Sequence, residues 1–104
     1  MSKQIVLVTC PDNEVAGRLA ATLVEERLAA CVNVVGGIRS VYRWEGKVQE
    51  DAEVLLIIKT REALFAPLEA RIKALHPYEV PEIIALPITQ GSAEYLDWIA
   101  QSTR

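Results

Sequence analysis

The sequence predicts an α+β domain in which an antiparallel sheet carries helices on one face. Three observations support this fold class. Residues 5–8 form a short apolar run, residues 30–60 read as two long strands joined at Trp44-Glu45-Gly46-Lys47, and apolar residues recur at helical spacing in the segments between strands. Because 104 residues fit one domain, we expect residues 1–104 to fold as a single unit.

The first two elements are predicted to be a buried strand and a helix. The run at residues 5–8 has the length and β-branching of a strand that is covered on both faces, and Pro11 ends it. Asp12 or Asn13 can cap the next helix, in which apolar residues keep helical spacing. We therefore expect this helix to run to about Leu28.

The two long arms predict a β-hairpin that extends beyond the body of the domain. At roughly 3.4 Å per residue, an arm of about 13 residues spans about 44 Å, whereas a compact domain of this length is about 30 Å across. Gly36-Gly37 interrupts the first arm, where we expect a kink. Residues 54–58 of the second arm are apolar on both faces, and helices can cover one of them. Because an isolated ribbon is marginal in water, we expect identical copies to cover it in a closed homo-oligomer.

The second half of the chain predicts a helix, an edge strand and a final helix. Thr60 can cap the helix, Pro67 fits its first turn, and the helix ends before His76 because a proline follows that residue. Residues 82–89 read as a strand whose internal proline indicates an edge position, and residues 92–101 read as a short helix.

The predicted element order is βαββαβ with an added C-terminal helix. With right-handed crossovers, this order gives a ferredoxin-like architecture, in which two helices cover one face of an antiparallel sheet. The other sheet face is left open, which independently favours assembly of identical copies.

Composition excludes several functional classes. A formal net charge of −3 with scattered basic residues gives no electrostatic footprint for nucleic acid or for an anionic membrane surface. Four apolar residues near the start are too few for a signal-peptide core or a membrane span, so we expect a cytoplasmic protein. Cys10 and Cys31 lack metal-motif or disulfide-framework spacing, and we expect free thiols.

The residues that could carry chemistry are few. His76 is the single histidine and stands beside Tyr78, Glu79 and Glu82, either as part of a site or as a helix-terminal residue that interacts with the dipole. No nucleophile elbow or glycine-rich phosphate loop is present, so no catalytic residue is assigned. Two further pairs have alternative roles: Cys10 and Cys31 are soft metal ligands or buried small hydrophobes, and Tyr42 and Trp44 are a ligand-stacking pair or, preferably, interface residues.

Five segments of the chain are distinctive: ERLAACVNV at 26–34, SVYRWEGK at 40–47, LIIKT at 56–60, HPYEVPEI at 76–83 and YLDWI at 95–99. In this order, and over nearly the whole chain, they resemble the CutA divalent-cation-tolerance family. The resemblance implies a ferredoxin-like subunit in a compact trimer, similar to the PII signalling proteins, with the long strands between subunits. It also implies tolerance of divalent cations, with copper binding ascribed to bacterial members and membrane anchoring of acetylcholinesterase linked to a mammalian branch.

The same resemblance implies a set of copper ligands. They are a cysteine in the first strand and two consecutive histidines before the Pro-Tyr pair. His76 matches the second histidine, whereas Leu75 stands at the first and Val8 at the cysteine position. Cys10 lies two residues beyond Val8, on the same strand face.

Two functional hypotheses follow, and an enzyme ranks third. The first is a trimeric cytoplasmic cation-tolerance protein that binds copper or another divalent cation weakly through His76, helped by Cys10 or Cys31, without an organic cofactor. The alternative is a PII-like sensor or scaffold that binds a small molecule or a protein partner in the cleft between subunits. The cleft residues of this alternative are Lys59, Tyr78, Glu79 and Glu82.

Overall fold

A computed structural model describes residues 2–104 and confirms the predicted α+β fold with its βαββαβα order. Within these residues the chain forms four strands, three α-helices and one 3₁₀ turn. The elements are β1 (Lys3–Cys10), α1 (Asn13–Glu25), β2 (Cys31–Trp44), β3 (Lys47–Arg61), the 3₁₀ turn (Glu62–Leu64), α2 (Phe65–Leu75), β4 (Ile83–Pro87) and α3 (Ala93–Gln101).

The strands form one antiparallel sheet in the order β2-β3-β1-β4. Leu7 of β1 lies opposite Ile57 of β3 on one side and opposite Ile84 of β4 on the other. β4 is therefore an edge strand, which is the position that tolerates the missing backbone donor of Pro87.

The predicted long hairpin is confirmed. Glu45 and Gly46 connect β2 to β3 with φ values of 51° and 78°, the signature of a type I′ turn, whose twist matches that of the strands it joins. A register shift between Val35 and Ile38 confirms the kink, and Gly37 adopts a φ of 77° there. The chain measures 44 × 25 × 23 Å along its principal axes, so the hairpin sets the longest dimension.

The core lies between the helices and one face of the sheet. Alternate residues of β1 and β3 point into it, as the alternation of buried and partly buried positions along both strands shows. The helices contribute residues at helical spacing, and this packing supplies the main stabilising burial of the domain. The fully buried members include Val6, Val8, Cys10, Leu19, Leu23, Leu56, Ile58, Leu68 and Ile72.

The opposite face of the sheet carries exposed apolar side chains. Leu55 and Ile57 alternate with the buried residues of β3 and are only partly buried. By the alternation along β3, Val48 near the hairpin tip stands on the same face as the core residues, and it is 66% exposed there. In addition, no helix within residues 2–104 is long and apolar enough to cross a membrane. Ile84 and Leu86 of β4, which pair with Leu7 and Ile5 of β1, are exposed on the open face. Exposed large apolar residues elsewhere include Val34, Val41, Tyr95 and Trp98.

Helix α1 ends earlier than expected, at Glu25 rather than near Leu28. The Arg27 backbone adopts a φ of 60°, its N–H donates to the Val24 carbonyl, and the Leu28 N–H donates to the Leu23 carbonyl. These bonds form a Schellman motif, which terminates a helix through a left-handed residue. Glycine is the usual residue there, so the arginine gave no stop signal.

The predicted cap at Thr60 is wrong. Thr60 still belongs to β3, is fully buried, and donates its hydroxyl to the Leu28 carbonyl at 2.6 Å. The 3₁₀ turn then separates the strand from α2, which begins at Phe65 and so keeps Pro67 in its first turn, as expected. α2 ends at Leu75, as predicted, and Ser92 caps α3 by accepting the Tyr95 N–H.

Candidate functional site

His76 fixes the loop that follows α2 to the end of β1. Its ring is buried, Nε2–H donates to the Thr9 carbonyl at 2.8 Å, and Nδ1 accepts the Tyr78 N–H at 3.1 Å. Because a carbonyl only accepts and an amide N–H only donates, these partners place the ring proton on Nε2. The His76 ring also packs against the Tyr78 ring, with centroids 4.7 Å apart. Both ring nitrogens of His76 are therefore engaged in holding the loop.

Tyr78 connects the same loop to the hairpin. Its hydroxyl donates to Glu53 Oε2 at 2.6 Å, although the two residues are 25 positions apart in the sequence. Glu53 is 7% exposed, which is unusual for a carboxylate and requires such a partner. Burial raises the pKa of Tyr78, and the hydrogen bond to Glu53 raises it further.

The hairpin and the loop line an open cavity of about 710 Å³, which is within the range of small-molecule sites. Its wall combines carboxylates with aromatic rings and has polar and apolar parts. The Tyr42 hydroxyl donates to Asp51 on the neighbouring strand, which holds this ring in place. The lining residues most relevant to chemistry are Tyr42, Trp44, Glu53, Tyr78, Glu79 and Glu82.

Three of the four residues predicted for a cleft line this cavity, and so do Tyr42 and Trp44. Lys59 does not. It donates instead to the Asn33 side chain, and it lies six residues along β3 from Glu53, about 20 Å away at strand spacing. Whether any of these residues lies between subunits stays a prediction.

Glu53 is the site residue that sequence reasoning missed. It stands directly before the buried run of β3, close to Glu50 and Asp51, so no local pattern separates it from these exposed carboxylates, and its partner comes from a distant loop. Ser40 and Thr9 also line the cavity and were not singled out.

The three predicted metal ligands do not meet within one chain. Cys10 is the last residue of β1 and lies near the His76 loop. Cys31 pairs with Lys59 of β3, and Lys59 pairs in turn with Ile5, near the start of β1. Five residues of strand separate these levels, which is about 17 Å. Neither cysteine forms a disulfide.

The state of the Cys10 thiol also bears on ligation. Burial, followed by the charges of Glu53 and Asp12, raises its pKa to about 11, so the thiol is protonated at neutral pH, whereas metals bind the thiolate. Among residues 2–104, no three His, Cys, Asp or Glu side chains group closely enough to hold a metal ion. The assignment of His76, Cys10 and Cys31 as ligands remains a prediction.

Comparison with known proteins agrees with this fold. Residues 4–102 match the family model described as "CutA1 divalent ion tolerance protein". The chain is 57% identical over 101 residues to the divalent-cation tolerance protein CutA of Thermus thermophilus, covering 97% of this chain and 98% of that one. It is 59% identical over 100 residues to the chloroplastic protein CutA of Arabidopsis thaliana, covering 96% of this chain and 55% of that one.

The solved structures show the same relationship. The crystal structure of CutA1 from Oryza sativa superposes with a TM-score of 0.97 at 57% identity, covering 100% of this chain and 95% of that chain. Since the family match, the high identities and the superposition all extend over nearly the whole chain, this protein belongs to the CutA1 family of divalent ion tolerance proteins.

Proposed function

We propose that this protein acts in divalent-cation tolerance as a homotrimer that binds copper or another divalent cation weakly. Its membership of the CutA1 family supports the ion-tolerance role. The observation that carries the trimer is the long hairpin, whose β3 strand has 15 residues in a chain only 23–25 Å wide across its shorter axes.

The surface of the single chain supports association. Val34 and Val48 on the hairpin and Leu86 on the edge strand are all 45–66% exposed, which places apolar side chains on both edges of the sheet. Apolar area of this kind is stabilised by burial against another subunit. A closed ring of identical copies covers it without leaving a free strand edge.

The hydrogen bonds of His76 support weak rather than tight metal binding. An ion at Nδ1 has to displace the Tyr78 N–H, and an ion at Nε2 has to displace a proton and the bond to Thr9. A stable site therefore needs further ligands, which we assign to a neighbouring copy of the chain. In this proposal the cation is the ligand that the protein handles and not a resident cofactor.

A titration of metal tests this proposal. Copper(II) and zinc are titrated into the wild type and into His76→Ala and His76→Asn, with Cys10→Ser and Cys31→Ser as the matched tests of the thiols. We expect weak binding that both His76 variants reduce. Identical affinities in all proteins would remove these residues from the site, and the oligomer mass measured on each sample separates lost ligands from lost assembly.

We also propose a binding role rather than a catalytic one, without an organic cofactor, a nucleic-acid partner or a membrane partner. The net charge of −3 and the dispersed basic residues argue against a nucleic-acid or anionic-membrane partner. A cytoplasmic location completes the proposal, since the free Cys10 and Cys31 suit a reducing compartment. Cell fractionation with an antibody against the protein tests the location.

A further inference from the structure

The cavity between the hairpin and the loop after α2 is acidic. Glu53, Glu79 and Glu82 line it, and among residues 2–104 no lysine or arginine does. Carboxylates that face one cavity from different segments produce a negative potential there, which favours a cationic ligand.

The same cavity also has an apolar wall. Trp44, Val41, Pro77 and Val80 line it together with the carboxylates. A ligand that fills such a site carries an apolar body beside its charged group. An indole face also attracts an ammonium group directly, so Trp44 suits an organic cation better than an inorganic ion.

Glu53 provides a specific anchor for this cation. It is the most buried of the lining carboxylates, at 7% exposure, and Tyr78 donates to its Oε2. A carboxylate has about four acceptor positions, so Oε1 can accept further N–H donors. A primary ammonium group supplies three donors and a compensating charge, which stabilises a carboxylate that is held away from water.

We propose that this cavity binds an aliphatic primary ammonium ion, with the ammonium on Glu53 and the carbon chain against Trp44. This inference goes beyond the proposed metal binding, because it uses Glu53 and Trp44 and does not require His76 or the thiols. A CutA1 protein with this site responds to an organic amine as well as to metal ions.

Fluorescence of Trp44 reports binding directly. The chain has two tryptophans, so the Trp98→Phe variant leaves Trp44 as the reporter inside the cavity. This variant is titrated with hexylammonium chloride, 1-hexanol and sodium hexanoate, which share one carbon chain and differ in charge. We expect a saturable change in Trp44 emission with hexylammonium that weakens at high salt, and no saturable change with the other two probes.

Charge-neutralising variants identify the anchor. In the Trp98→Phe background, Glu53→Gln keeps an acceptor for Tyr78 and should weaken hexylammonium binding about 10- to 100-fold. Glu25→Gln on α1 makes the same charge change at an exposed position outside the cavity lining and should leave binding unchanged. Thermal unfolding establishes that each variant is folded. If Glu53→Gln does not fold, a variant that combines Glu79→Gln and Glu82→Gln replaces it as the test of the acidic lining.

Three results would overturn the proposal. They are an equal response to 1-hexanol, the absence of saturation with hexylammonium, and unchanged affinity in the folded Glu53→Gln protein. A protein that binds copper in a His76-dependent way and ignores hexylammonium refutes this inference and leaves the proposed function intact. The reverse result refutes the metal site alone.

Discussion

The hydroxyl of Tyr78 donates to Glu53 at 2.6 Å and so ties the loop after α2 to the base of the long hairpin. We expect Tyr78→Phe to lower the free energy of unfolding by about 1–3 kcal/mol, because it leaves a buried carboxylate without this donor. Chemical denaturation at fixed protein concentration measures the change. Tyr42→Phe removes a similar phenol bond, to Asp51, at an exposed position and should cost less. Equal losses in the two variants would show that burial of Glu53 is unimportant.

The Cys10 thiol should resist alkylation in the folded protein. At pH 8, a thiol with a pKa of about 11 has about a hundredfold less thiolate than one at the ordinary 9.0, and burial further limits access. Iodoacetamide should therefore modify the half-buried Cys31 first. Intact mass and peptide mapping follow the reaction, with the denatured protein as control. Rapid double modification of the native protein would contradict the burial of Cys10.

The same thiol predicts how stability depends on pH. Its folded pKa lies above the unfolded value, so its contribution is fully present below about pH 9 and is lost as pH rises towards about 11. Between these values the unfolded state has released a proton that the folded state retains. Unfolding temperatures measured across this window should fall more steeply for the wild type than for Cys10→Ala. Parallel curves would contradict the raised pKa.

The hairpin turn requires glycine at position 46, whereas β2 does not require glycine at position 36. Gly46 has a φ of 78°, so Gly46→Ala should destabilise the protein by about 1–2 kcal/mol. Gly36 is not in a left-handed conformation, and a Cβ there has no neighbour within 4 Å. Gly36→Ala should therefore be neutral or stabilise by up to about 1 kcal/mol. Urea unfolding of both variants distinguishes the two sites, and a reversed order would mean that the turn is wrongly assigned.

Thr60, which the sequence predicts as a helix cap, instead forms a buried hydrogen bond in the core. Its buried hydroxyl satisfies the Leu28 carbonyl, so Thr60→Val should cost about 1–3 kcal/mol despite its similar shape. Denaturant unfolding measures this loss. A neutral substitution would show that this carbonyl finds another donor.

Local patterns were sufficient to predict most of the fold. The Trp44 to Lys47 segment specifies a turn through its glycine, and the apolar run of β3 specifies a strand through β-branching, so the hairpin needed no tertiary information. The end of α1 was missed because Arg27, rather than glycine, adopts the left-handed conformation. That backbone is held by the Arg104 N–H on its carbonyl, a contact from the far end of the chain.

The site was harder to predict than the fold. Tyr78, Glu79 and Glu82 are neighbours in sequence, so their common location follows from one short loop. Glu53 reaches them only because β3 pairs with β1, which ends beside the same loop. Lys59 does not line the cavity of a single chain, because strand spacing carries it to the other end of β3, and its place in a cleft between subunits stays a prediction. Pairing partners, rather than residue types, decide which side chains meet.

Native mass spectrometry of protein purified without added metal or chelator tests the central claim most directly. The account predicts a species of three times the chain mass of 11.5 kDa, because the apolar surface of the hairpin requires other copies to cover it. The same spectrum reports any metal ion or amine that remains bound. A folded species of 11.5 kDa at micromolar concentration would contradict the account.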